Sequence, residues 1–234
     1  GMLWIKMTKG NVMTAIDLSA LGLDKIEETE DEIRIGCMAS LRQMEEHQGL
    51  NAYTNGAVKE ALRYIVGVQF RNLATVGGSV YGRFGFSDVL TVLLAMDTYV
   101  EMYKGGIISL AEFVNMKYDR DILVSVIIKK QKASFCYQSV RIAKTDFPVL
   151  TCATALTEAG IRMAIGARPG KAMLVTDEEN LVTLPVTAEK AKVFAEYAAA
   201  KIPTANTNRG SAEYRTRLVK VLAERTIMEL GGKA

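Results

Sequence analysis

Histidine is almost absent from this 234-residue chain and cysteine is scarce: His47 stands alone, and Cys37, Cys136 and Cys152 lie far apart. One imidazole cannot supply a histidine-based metal cluster. The cysteines show no C-x-x-C spacing, so neither a disulfide framework nor an iron–sulfur cluster is indicated, and each reads as a small core residue. No serine sits in a nucleophile-elbow context that could recruit His47, which lies in the polar stretch from Met44 to Gly49 and reads as a surface residue. Long apolar runs are missing as well; Val89 to Ala95 falls far short of the roughly 20 residues that cross a bilayer. No cluster of lysine and arginine concentrates the net charge of +3, so nothing points to nucleic acid. With no secretory signal after Met2, the expected location is the cytoplasm. The remaining composition, 24% charged and 49% hydrophobic, is that of a globular chain long enough for one large domain or two smaller ones.

What is present is a stretch from Arg71 to Asp97, RNLATVGGSVYGRFGFSDVLTVLLAMD, with four glycines set between two apolar runs. Gly77 and Gly78 can take positive φ and expose backbone N–H groups, and with Thr75 and Ser79 beside them they could hold an anionic oxygen such as a phosphate. Ser87 or Asp88 can cap a helix expected over Val89 to Met96. A tight turn followed by a helix cap, with no ligand, is the alternative reading of the same residues.

The periodicity outlines the rest. Val12 to Leu18 alternates as a strand does, and Ile33 to Gly36 reads as the second strand of a hairpin whose tip is the acidic run from Glu27 to Glu32. Ser40 starts a helix with Leu41 and Met44 on its buried side. Ala57, Leu62, Ile65 and Val66 have helical spacing. Thr98 to Tyr103 and Ile107 to Leu110 read as strands joined by a Lys104–Gly105–Gly106 turn, and Asp121 to Lys129 as another strand. Near Lys130 the character changes. Strands are expected at Ser134 to Val140, Val149 to Leu156 and Ile161 to Ile165, then helices at Ala188 to Lys201 and Ser211 to Leu230, the latter with Tyr214, Leu218, Val221, Leu222 and Ile227 at helical spacing. Strands followed by helices predict an α+β class.

Three separated segments also resemble the FAD-binding medium subunit of molybdenum hydroxylases of the xanthine dehydrogenase and carbon monoxide dehydrogenase type. Thr75, Val76, Gly77, Gly78, Ser87 and Asp88 match T-[IV]-G-G-N-x-x-x-x-x-P-x-S-D at the same spacing, and Leu93 to Asp97 match the helix end that follows. Ser79 replaces the usual Asn, and Gly85 the usual Pro. Leu3 to Gly10, Ala15 to Ser19 and Ile33 to Ser40 match the family's opening text, and Arg209 to Arg217 (RGSAEYRTR) matches R-G-S-x-E-Y-R closely. The resemblance implies two domains: residues 1–131, an N-terminally truncated FAD-binding domain of the vanillyl-alcohol-oxidase type (PCMH), and residues 132–234, a small domain with a three-stranded antiparallel sheet and a helical bundle.

It also implies a role. FAD would be the cofactor, with Thr75, Gly77, Gly78 and Ser79 at the pyrophosphate and ribityl oxygens, Ser87 and Asp88 at ribityl hydroxyls, Leu123 on the isoalloxazine ring or simply in the core, and Tyr81 among the cofactor-binding residues. Lys144 and Asp146 lie where the second domain approaches the flavin. The family's first glycine loop, A-G-G-T-D, would precede the first residues of this chain, so FAD is expected to bind weakly, or not at all, unless that half is supplied elsewhere. The partners implied are an iron–sulfur small subunit and a molybdopterin large subunit, with a homodimer the option for the isolated chain; no catalytic residue, metal ligand or membrane contact is implied. Electrons would pass from the iron–sulfur clusters through FAD to an acceptor. The alternatives are an FAD-free scaffold or interaction subunit and, with less support, a binder of a smaller nucleotide. Ser211 would cap the last helix, with Glu213 and Arg215 pairing on the surface or against the other domain.

Overall fold

The computed structural model describes Ile5 and residues 9–232. Most of the Leu3 to Gly10 match therefore lies outside the described residues. Two antiparallel sheets organise the chain, with strand orders β1-β2-β5-β3-β4 and β6-β7-β8-β9. In the first, β1 (Ile26–Glu28) and β2 (Glu32–Gly36) form a hairpin where one was expected, but Glu27, Glu28 and Glu32 lie in its strands and only Thr29 to Asp31 make its turn; β3 (Thr98–Met102) and β4 (Gly106–Ser109) form another. β5 (Leu123–Lys129) lies between the hairpins, pairing Ile33 with Ile128 on one side and Val100 with Val126 on the other. Alternation along β2 turns Ile33 and Ile35 to the core and Arg34 outward, where it meets Glu101 at 2.7 Å. Asp121 does not extend β5; its carboxylate accepts from the amides of Lys104 and Gly105 and fixes the turn of the second hairpin.

Among the described residues, seven α-helices accompany this sheet: α1 (Leu41–Glu46), α2 (Gln48–Tyr53), α3 (Ala57–Leu62), α4 (Val68–Leu73), α5 (Val76–Tyr81), α6 (Asp88–Ala95) and α7 (Leu110–Asn115). Ser40 opens α1 through a capping box with Gln43, and Leu41 and Met44 are buried as expected. Three expectations fail. Val12 to Leu18 forms no strand: alternation cannot make one where the residues face solvent with no neighbouring strand to pair with. The helical spacing from Ala57 to Val66 stops early, because Val66 adopts φ 50°, and Asn55 and Gly56, at φ 53° and 78°, separate α2 from α3. His47 is half-buried rather than on the surface, and its Nδ1 accepts from the Leu50 amide to cap α2.

The second sheet comprises β6 (Ala133–Val140), β7 (Leu150–Thr157), β8 (Gly160–Gly166) and β9 (Met173–Thr176). The expected three strands are there, and β9 adds a fourth; four residues between a turn and a polar segment leave too little pattern to read. One face of the sheet is covered by α8 (Ala188–Lys201) and α9 (Ala212–Gly231), so the helical part is a packed pair. Ala191, Phe194, Ala195 and Ala198 meet Val219, Leu222, Ala223 and Ile227 in this core. Tyr214 and Val221 share the helical spacing but lie exposed on the far side of α9. All three cysteines are buried and free.

The other face of the second sheet packs on α6, whose eight residues are all buried. A helix apolar all round needs cover on every side, and α6 obtains it from the helices of the first half and from β7 and β8 of the second. Polar contacts fix the register: Thr91 Oγ1 lies 3.1 Å from Thr151 Oγ1, and Arg162 donates to the Ala95 and Met96 carbonyls at the helix end. Phe135, Tyr137, Ala153, Ala155 and Ala164 of the second sheet thereby join the core of the first half.

Gly77 sets how closely α5 approaches the segment after β2, because a Cβ there would lie 2.6 Å from the Cys37 carbonyl oxygen. Gly78 faces solvent, with only the Thr75 hydroxyl near its missing Cβ. Gly77→Ala is expected to destabilise the protein by about 2 kcal/mol through overpacking, whereas Gly78→Ala should change stability by less than about 1 kcal/mol because Ala favours the helix. Urea unfolding midpoints of the two variants provide the check, and indistinguishable midpoints would rule this account out.

Candidate functional site

The glycine stretch forms no loop. Thr75 is the N-cap of α5, and Gly77 and Gly78 lie within the helix, so neither takes positive φ. Their amides are not bare. Val76 N donates to Ala39 O at 2.8 Å and Gly77 N to Cys37 O at 2.9 Å, while Gly78 N reaches Thr75 Oγ1 at 3.2 Å and Ser79 N reaches Thr75 O at 3.1 Å. The physical reason is tertiary: the chain leaving β2 lays two carbonyls against the helix N-terminus, and the cap hydroxyl takes the next amide. The expectation of free backbone donors at the double glycine is therefore corrected.

What remains at this end of α5 is a set of hydroxyls. Ser79 Oγ donates to Thr75 O at 3.1 Å and keeps its own lone pairs, and Thr75 Oγ1 donates to no group among the described residues. Ser87 caps α6 by accepting from Leu90 N at 3.1 Å, and its hydroxyl points back to Ser79 O at 3.4 Å. The two halves of the T-V-G-G-S…S-D signature thus meet in space. The connection between them is pinned from outside. Arg83, at φ 44° and buried, donates to the Phe113 and Met116 carbonyls and stacks on Phe113 and Tyr118, each 4.3 Å away. Tyr81 donates to the Asp119 carbonyl at 2.9 Å, and Leu123 is 4% exposed within the first core.

Gly85 has a reason of its own. A Cβ there would sit 2.5 Å from the Gly170 carbonyl oxygen, so the turn after β8 leaves no room for the proline found in the resembled motif. Arg71, at the start of the same stretch, is buried with Glu45, to which it donates through Nε at 2.8 Å and NH2 at 3.3 Å. This pair ties α4 to α1 beneath the site.

Asp88 follows the Ser87 cap and is 5% exposed. Its Oδ1 accepts from the Tyr137 hydroxyl and from Arg141 NH2, so it joins α6 to the second sheet instead of facing the hydroxyl row. Burial pushes its carboxyl up to about 6, against the opposing pull of Arg141 and Tyr137. Sequence reading missed Arg141 and Tyr137 as its partners; they lie about fifty residues away, and only the fold brings them together. Lys144 stacks on Tyr64 at 5.6 Å, and Asp146 pairs with Arg209 at 3.0 Å. Arg215 was expected to pair on the surface or against the other domain. It is instead buried, donating to the carbonyls of Val149, Ala205 and Gly210 and to the Thr207 hydroxyl, while Glu213 pairs with Arg217.

Among the described residues, no group of three or more histidine, cysteine or acidic side chains is placed to hold a metal ion, and no helix is long and apolar enough to cross a membrane.

Two antiparallel sheets enclosing a buried helix, with a Thr-capped double glycine beside a Ser cap, define an α+β architecture. A family profile described as the FAD binding domain in molybdopterin dehydrogenase matches residues 2–130, and the chain belongs to that family. The uncharacterized protein YgfM of Escherichia coli (strain K12) is 29% identical over 174 residues, which are 74% of this chain and 65% of that protein, slightly less than two thirds of its length. The nicotine 6-hydroxylase medium subunit of Paenarthrobacter nicotinovorans is 26% identical over 233 residues, covering 93% of this chain and 82% of that one. Among solved structures, quinoline 2-oxidoreductase from Pseudomonas putida 86 superposes with a TM-score of 0.81 at 18% identity, and carbon monoxide dehydrogenase from Hydrogenophaga pseudoflava with 0.80 at 19%. Each comparison covers 91% of this chain and 79% of the other, and each speaks to the fold.

The Asp88 carboxyl holds its proton more tightly in the folded protein than in the unfolded chain, where it titrates near 3.8. Its contribution to stability is therefore complete below that value and is lost as pH rises through about 6. Urea midpoints measured from pH 4 to pH 7 should fall more steeply for the parent protein than for Asp88→Asn. Parallel profiles would show that Asp88 does not titrate in this window.

Proposed function

We propose that the protein is the FAD-holding medium subunit of a molybdenum-containing hydroxylase, positioning the flavin while other chains carry the molybdenum and iron–sulfur chemistry. The observation that carries the reading is the family match over residues 2–130, and likeness to a nicotine 6-hydroxylase medium subunit supports it. When bound, FAD supplies the means to accept electrons and release them to an acceptor. This chain's part is to hold and orient the group. Thr75 Oγ–H serves as a donor to a phosphate or ribityl oxygen, and Ser79 Oγ as an acceptor from a ribityl hydroxyl; Ser87 adds a third hydroxyl from the neighbouring cap. The exposed Gly78 leaves the approach open. Asp88 and Leu123 support this row from beneath, the first by tying α6 to the second sheet and the second by filling the core.

The grip is one of side-chain hydroxyls, since the first-turn amides of α5 are committed within the protein. That commitment also favours a second reading, an FAD-free scaffold that keeps the fold and docks to the same kind of partners. Titration of the purified chain with FAD, followed by flavin fluorescence, separates the two. Saturable binding is expected, and Ser79→Ala should weaken it by about tenfold, the equivalent of one hydrogen bond to a polar ligand. Failure of the parent chain to take up FAD, with the fold intact by circular dichroism, would favour the scaffold.

A further inference from the structure

The turn containing Gly85 and Phe86 and the segment from Ala167 to Lys171 line a cavity of about 470 Å³, on which the proposed flavin grip makes no demand. Its apolar walls are Phe86, Phe147, Pro148 and Pro169, and its charged lining residues are Lys171, Arg209 and Arg215. No carboxylate lines it.

Two features make this an unusual lining. Arg215 is 2% exposed, yet all of its hydrogen bonds go to neutral oxygens, and among the described residues no carboxylate pairs with it. A buried guanidinium without a counter-charge is costly unless an anion approaches it. Burial and the positive charge of nearby Arg209 both lower the affinity of Arg215 for its proton, as expected where cations face one another without an acid between them. The second feature is aromatic. Phe86 and Phe147 lie 4.3 Å apart, Phe84 stacks on Phe86 at 5.3 Å, and the Arg209 guanidinium sits over Phe147 at 5.3 Å. Phe147 keeps 42% of its surface exposed.

We propose that this cavity binds a small aromatic anion, its ring against Phe147 and Phe86 and its charged group toward Arg209 and Arg215. Arg209 is the adaptable member. It pairs with Asp146, which is partly exposed, through Nε and NH2 and can offer NH1 to a ligand without leaving that pair. Arg215 holds the loop from Ala205 to Gly210 in place and supplies fixed positive charge. The volume suits a single substituted ring, within the range of small-ligand pockets.

The probes are benzoate, cyclohexanecarboxylate and inorganic phosphate, titrated calorimetrically into the full chain at low salt without added flavin. Benzoate should bind saturably, and cyclohexanecarboxylate should bind about fivefold more weakly for loss of ring stacking. Arg209→Gln should weaken benzoate by about tenfold through loss of a charge-assisted bond. Phe147→Leu, at a half-exposed position where the fold is not at risk, should bring benzoate down to the cyclohexanecarboxylate level while leaving phosphate unchanged. The proposal is overturned if benzoate shows no saturable binding, if Arg209→Gln binds it as the parent does, or if cyclohexanecarboxylate or phosphate binds as tightly as benzoate. Because no flavin enters the experiment, failure here leaves the proposed cofactor role untouched, and failure to bind FAD leaves this cavity untouched.

Discussion

The burial of α6 on every side is the constraint from which the architecture follows. A run of eight residues with no solvent face cannot rest on one sheet alone, so the chain must bring a second layer over it. The second sheet supplies that layer. Its ends are joined to the helix by charge: Asp88 at the N-terminus meets Arg141 and Tyr137, and Arg162 meets the carbonyls at the C-terminus. Both contacts complement the helix dipole, with a carboxylate at the positive end and a guanidinium at the negative one.

That arrangement explains why the motif residues are so unequally exposed. Asp88 must reach the second sheet and is buried, while Ser87, one residue earlier, caps the helix from its rim. Gly77 is small because α5 presses on the segment leaving β2, and Gly85 is small because the turn after β8 presses on it. Gly78 alone of the three has room for a side chain, with only the flexible Thr75 hydroxyl in its way. Two positions that look like conformational glycines are therefore packing glycines: what they provide is the absence of a Cβ rather than access to positive φ.

Elements with strong local signals were legible in the sequence. The α8 range was readable from its alanine-rich period, β5 and the two hairpins from alternation and turn residues, and Ser40, Ser87 and Ser211 as caps from the apolar runs they precede. Failures came where tertiary contact decided the outcome. Val12 to Leu18 alternates without a partner strand, Val66 is turned to positive φ, and the amides of Val76 and Gly77 are consumed by the carbonyls of residues 39 and 37. Arg215 is the instructive case, because a conspicuous charged motif suggested a surface pair and the fold buried it among carbonyls. No local rule distinguishes these outcomes: an arginine near a helix start reads the same whether three carbonyls and a hydroxyl or open water will surround it.

The same reasoning separates the fold's requirements from those of a ligand. Thr75, Gly77 and Ser87 each have a structural duty, in a cap or a close approach, that holds whether or not a flavin is present. Their match to a flavoprotein motif is thus explained twice over, and their presence alone does not discriminate between a cofactor grip and a retained scaffold. Ser79 is different. Its hydroxyl makes only a local bond to the Thr75 carbonyl, one that α5 could lose at little cost, while the Ser87 hydroxyl of the neighbouring cap reaches its backbone carbonyl. A function for the hydroxyl row therefore rests on the residue the fold needs least, and the motif's departure from asparagine to serine at that position shortens the reach of the group while keeping both a donor and an acceptor.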